Sequence, residues 1–191
     1  MKRKSPTGSK PTRIAWHPAF FEALQMELND YRHVLEFHPE YQLTYEPLKI
    51  DCVVIKKIKN IQIEKNIATI FREWNIIEYK SPTDYVSVED FYKVYAYACF
   101  YAALNKVSIT SMTITFVENR YPKKLLTHLC KILGYTVEES DNGIYTVNGN
   151  IIPIQIIDRN KLSLDENVWL RGLSDRLDFS VFNRVTTEAT R

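Results

Sequence analysis

At 191 residues the chain is long enough for one domain with a substantial core. Its 45% hydrophobic and 25% charged residues are those of an ordinary soluble globular protein, and no apolar run approaches the ~20 residues that span a bilayer. A formal net charge of +2 permits a nucleic-acid surface without demanding one.

The first thirteen residues, MKRKSPTGSKPTR, are basic and polar and no apolar stretch follows them, so they read as a flexible arm and not a secretory signal. Lys2, Arg3, Lys4, Lys10 and Arg13 either solubilise the arm or reach along phosphates. His17–Tyr31 reads as a helix, with Pro18 in its first turn and Phe20, Leu24, Leu28 and Tyr31 at helical spacing. Val34–Leu43 reads as a first strand, at an edge or irregular because of Pro39. Leu48–Lys56 is β-branched and nearly continuous in apolarity, as a strand covered on both faces should be, and Asp51 interrupts it. Ile70–Lys80 holds the next strand, closed by Pro82.

Ser87–Leu104 is a long helix with a Ser87/Asp90 capping pair and a stripe of Val88, Phe91, Tyr95 and Ala98. Ser111–Val117 alternates as a strand. Pro122 opens a helix through Leu133 that Gly134 closes. Tyr135–Val147 is a hairpin turning at Asp141–Asn142–Gly143, followed by a strand over Ile151–Ile157 and a short helix over Asp165–Leu173. The tail beyond Phe182 is polar and expected to fray. This order implies an α/β fold with a mixed central sheet flanked by helices. The expected organisation is an arm over 1–13, one domain over 14–180 (core about 17–133, extension about 135–180) and a tail over 181–191.

Cys52, Cys99 and Cys130, odd in number and set in apolar segments, read as reduced core thiols of a cytoplasmic protein. There is no CxxC pair, Walker loop or dinucleotide fingerprint. His17, His33, His38 and His128 show no ligand spacing, and the tyrosines at 92, 95, 97 and 101 read as core and rim at helical spacing.

The chemistry concentrates at Asp51, Glu78 and Lys80. Glu78 and Lys80 are two apart on a strand, so both side chains face one side of the sheet. Asp51 lies on an earlier apolar strand, and if the two strands are neighbours the two acids converge. A buried carboxylate is kept by pairing, hydrogen bonding or a metal. Two carboxylates with a backbone carbonyl, for which Tyr79 is placed, form an oxygen cage suited to Mg²⁺. A lysine beside such a cage orients water and neutralises developing charge, while the metal polarises a phosphoryl oxygen. The competing reading is a structural ion pair between Asp51 and Lys80.

The segments IDCVVIKK and NIIEYKSP, a strand aspartate followed by Glu-x-Lys on the next strand and then a helix, resemble the PD-(D/E)XK nuclease superfamily. The run EYKSPTDYVSVEDFYKVYAYACFY is similar to a group of uncharacterised bacterial proteins within it, some related to transposase-like nucleases. The resemblance covers Phe20 to about Val117. It implies a restriction-endonuclease-like αβββαβ core and Mg²⁺-dependent (or Mn²⁺-dependent) phosphodiester hydrolysis of nucleic acid, DNA foremost and endonucleolytic in preference to exonucleolytic. Asp51 and Glu78 become metal ligands and Lys80 the catalytic lysine. Ile50 stands where the family has its name-giving proline.

The resemblance also implies an acid on the first helix, for which Glu22 is the first choice, Glu27 the competitor and His17 a third. Lys93 and Tyr97 are candidates to line the cleft. Lys56 and Lys57, in a run with Lys59, are either a solvated strand end or a nucleic-acid contact. A homodimer is an expectation of the resemblance. A nuclease-fold module without catalysis, binding nucleic acid or protein, is the alternative.

Overall fold

The computed structural model describes residues 16–39, 52–173 and 179–190. Among these, seven strands form one sheet: β1 (Leu35–His38), β2 (Cys52–Lys57), β3 (Trp74–Tyr79), β4 (Met112–Glu118), β5 (Thr136–Asp141), β6 (Ile144–Asn148) and β7 (Ile154–Asp158). Their spatial order is β1-β2-β3-β4-β7-β6-β5. β1, β2 and β3 form an antiparallel meander, β4 runs parallel to both β3 and β7, and β5, β6 and β7 form a second antiparallel meander.

Helices cover both faces. α1 (Trp16–Glu27) and the short α4 (Val168–Arg171) lie on one, α2 (Val88–Asn105) and α3 (Lys123–Lys131) on the other. The alternation of side chains along a strand sorts the core into two clusters. Cys52, Val54, Ile76, Ile114, Phe116 and Ile156 face α2 and α3. Val53, Ile55, Ile77, Tyr79, Val117 and Ile157 face α1. The result is a mixed α/β architecture with a central sheet flanked by helices, as the sequence implies.

Ser87 caps α2 by a reciprocal pair of bonds: its hydroxyl accepts from the Asp90 N–H at 3.0 Å, and the Asp90 carboxylate accepts from the Ser87 N–H at 3.0 Å. The helix buries Phe91, Val94, Ala98 and Tyr101, so its stripe is rotated slightly from the expected one and leaves Tyr95 half-buried.

Several details differ from the sequence expectation. The first helix ends at Glu27, and Asn29–Tyr31 closes as a 3₁₀ turn. Pro122 caps α3 from outside its first turn. Cys52 is buried but Cys99 and Cys130 are exposed, because they sit on outward faces of α2 and α3; none of the three is in a disulfide among the described residues. The polar tail forms α5 (Phe179–Ala189), held by burial of Val181, where fraying was expected. No helix among the described residues is long and apolar enough to cross a membrane.

The β5–β6 turn falls at Asn142–Gly143, as expected. Gly143 has φ +77, and a Cβ there would lie 2.7 Å from the Asp158 carbonyl oxygen and from Lys161 Cβ. Gly143→Ala is expected to cost about 2 kcal/mol, from left-handed strain and the close approach together. Urea unfolding checks this; an unchanged midpoint would mean that the turn and the 158–162 segment separate freely.

An ionic centre at the end of the third strand

β3 is apolar through Ile76 and Ile77 and then places Glu78 on the α2 face, with only 2% of its surface exposed. The residue opposite Glu78 on β2 is Cys52, and its thiol donates to Glu78 Oε2 at 2.8 Å. Lys80 follows on the same face and sets its ammonium 3.3 Å from Glu78 Oε1. The same ammonium donates to Asp90 Oδ1 at 2.8 Å and lies 3.8 Å from Asp84 Oδ2. Lys93, one turn along α2, reaches Asp90 Oδ1 at 3.6 Å.

Asp90 is therefore both the cap of α2 and the principal counter-ion of Lys80. Burial pushes its carboxyl up, but the hydrogen bonds from Lys80 and Ser87 outweigh this and bring it down to about 2. For Lys80 burial acts downward, and the bond to Asp90 with the charges of Glu78, Asp90 and Asp84 outweighs it, so its ammonium is held above the ordinary lysine range.

Beside Lys80 the sheet continues with two more acids. The Lys80 N–H donates to the Val117 carbonyl at 2.9 Å, which brings Glu118 alongside. Glu118 is in register with Asp158 on β7. Lys80, Glu118 and Asp158 thus form a row across the ends of three parallel strands, the edge at which open α/β sheets bind ligands. Glu118 is fully buried; its Oε2 accepts from the Val86 N–H at 3.2 Å, and its Oε1 is buried without a hydrogen-bond partner among the described residues. Burial drives its carboxyl up to about 7, with Asp158 adding to the rise and the Val86 N–H, Arg120 and Lys80 opposing it. Burial raises the Asp158 carboxyl as well.

Of the residues singled out in the sequence, Glu78, Lys80 and Lys93 meet in this centre. Asp51 lies outside the described residues. Tyr79 turns its ring to the opposite face, stacked on Phe20 at 4.4 Å with His17 edge-on at 6.5 Å. α1 packs on that face too, so Glu22, exposed on α1, is across the sheet from Glu78 and Lys80. Tyr97 is half-buried against the α2-side core. Lys56 and Lys57 are at the other end of β2.

Glu27, the competing acid of the first helix, is buried and structural. Its Oε1 accepts from the N–H groups of Trp169 and of Leu170 (3.0 Å for the latter), and its Oε2 pairs with Lys65 at 3.0 Å. It therefore caps α4 from another helix. Glu27→Ala is expected to cost about 2 kcal/mol, because the N–H groups at the start of α4 lose their acceptor. Chemical denaturation measures this, and a loss below about 0.5 kcal/mol would show that water replaces the carboxylate.

Glu118, Asp90 and Cys52 were not picked out from the sequence as members of this site. Glu118 carried one signal, a carboxylate ending the alternating strand MTITFVE. Among the described residues no group of three or more His, Cys, Asp and Glu is placed to hold a metal ion. No protein-family model, curated protein or solved structure matches the chain.

Proposed function

We propose that the chain is a restriction-endonuclease-like module that binds nucleic acid and in which the Glu78–Lys80 centre is a structural ion network. The observation that carries this is the engagement of the centre by its own neighbours. One oxygen of Glu78 accepts from Cys52, the other faces Lys80, and Lys80 is held by Asp90 at 2.8 Å. The order α1, then the antiparallel β1-β2-β3, then α2, then β4 parallel to β3 supports the nuclease-like assignment, because it is the αβββαβ order that the resemblance implies. Lys56 and Lys57, half-buried at the far end of β2, supply cations suited to phosphates.

A second reading, Mg²⁺-dependent hydrolysis of DNA, is favoured by one observation: Glu78 and Lys80 share a face at the end of β3 beside Glu118, one oxygen of which has no hydrogen-bond partner among the described residues. In this reading Asp51, Glu78 and the Tyr79 carbonyl hold the ion. The metal supplies polarisation of the phosphoryl oxygen, and Lys80 stabilises the charge that develops there.

The test is fluorescence anisotropy with duplex DNA, run beside incubation of supercoiled plasmid with Mg²⁺ or Mn²⁺. Salt-dependent binding with intact plasmid is expected. Nicking that disappears in Asp51→Ala would replace the binding module with the nuclease. Absence of DNA binding with or without metal would sink both.

A further inference from the structure

At the end of the β2–β3 ladder away from Glu78 lies an open surface concavity of about 660 Å³. Four cationic side chains line it, Lys56, Lys57, Lys59 and Arg72, against the single carboxylate of Glu73. A chain with a formal net charge of only +2 therefore concentrates positive charge in one concavity. We infer that this cavity binds a phosphate monoester of nucleotide size.

The cationic groups are held in place by the fold. The Lys57 ammonium donates to the carbonyls of Phe71 (3.2 Å) and Ile61 (3.4 Å), tying the 58–61 loop to the segment entering β3. Lys56 lies over the Trp74 ring, 4.8 Å from its centroid. The Arg72 guanidinium donates to the Thr110 carbonyl and its main-chain N–H to Asn75 Oδ1 at 2.9 Å, which anchors the residue at both ends. That one contact leaves most of a five-donor fork available to an anion. Lys59 is exposed at the rim.

Volume and charge together select the ligand class. The cavity falls within the ~300–1,000 Å³ of small-molecule sites, well above what one inorganic ion fills. A dianionic phosphate satisfies the surplus of cations, and Asn60 and Ser111, also in the lining, offer polar groups to the remainder of the ligand. The same chemistry is offered by a free mononucleotide and by the 5′-phosphorylated end of a strand. The inference stands apart from the Glu78–Lys80 centre and does not rest on its function.

Calorimetric titration with 5′-AMP and with adenosine, and anisotropy with a 5′-phosphorylated oligonucleotide and its 5′-hydroxyl twin, test it. AMP is expected to bind and adenosine not, with AMP affinity falling at least tenfold in Lys59→Glu and again in Lys59→Glu/Arg72→Glu. Lys59 is exposed, so the single variant keeps the test valid should the double variant misfold. Preference for the phosphorylated oligonucleotide would assign the site to strand ends; AMP binding without that preference would assign it to free nucleotides. Equal affinity for AMP and adenosine, no binding of AMP and no preference between the oligonucleotides, or AMP affinity unchanged in Lys59→Glu would overturn the inference.

Discussion

Lys80→Met is expected to lower stability by about 3–5 kcal/mol, the range for removing one partner of a buried ion pair. Side-chain exposure is 11% for Lys80 and 3% for Glu78, so water does not substitute for the lost ammonium. Glu78 would keep the Cys52 thiol as a donor, a weak one. Asp90 would lose its 2.8 Å partner and retain Ser87 and the more distant Lys93. The double variant Glu78→Gln/Lys80→Met should recover only part of the loss, since it removes the Glu78 charge and keeps the volume but leaves Asp90 without its 2.8 Å partner. Urea denaturation of the two variants and of Glu78→Gln closes the cycle. A Lys80→Met loss under 1 kcal/mol would mean that the centre is hydrated and that Lys80 is free to act on a ligand.

Glu118→Gln is expected to stabilise the protein above neutral pH, by up to about 3 kcal/mol. The sign follows from proton binding. A carboxyl raised from 4.5 to about 7 by folding holds its proton in the native state over a range in which the unfolded chain has lost it. Stability therefore falls as pH rises from about 4.5 to about 7 and the penalty is complete above that. Gln is neutral throughout and keeps an oxygen for the Val86 N–H. Wild type and variant should coincide near pH 4, below both pKa values, and diverge by pH 8. Parallel profiles through this window would show that Glu118 is ionised in the native state and matched by Lys80 and Arg120.

Much of the fold was legible because local chemistry and tertiary structure agree. The Ser87/Asp90 pair marked the start of α2, Gly143 marked the β5–β6 turn, and the apolar runs read over 48–56 and 70–80 located the central strands β2 and β3. What was not legible depends on neighbours across the sheet. Asn75 lies within a strand sequence that gives it no partner of its own, and across the sheet it donates to the Ile55 carbonyl at 3.1 Å and accepts from Thr113 at 2.6 Å. Gln155 likewise bridges Thr115 and the Ile67 carbonyl.

The site divides the same way. Period two gave the shared face of Glu78 and Lys80, but the choice of Glu22 rested on resemblance and ignored which face α1 would cover. Glu118 and Asp158 lie forty residues apart in the chain, and only the β4–β7 register makes them adjacent.

That register also bears on how the molecule must be made. β4 is buried along its whole length and both of its partners are parallel strands, one completed before it and one supplied only by residues 154–158. Until those residues emerge from the ribosome, a seven-residue strand, buried throughout in the folded sheet, presents an open hydrogen-bonding edge. A nascent chain halted after Gly134 would carry a template for intermolecular pairing, so such fragments should collect in inclusion bodies while the full-length product does not. The hairpin and final strand, which the sequence presents as an appendage to an αβββαβ core, would then act as the built-in guard against self-association during synthesis.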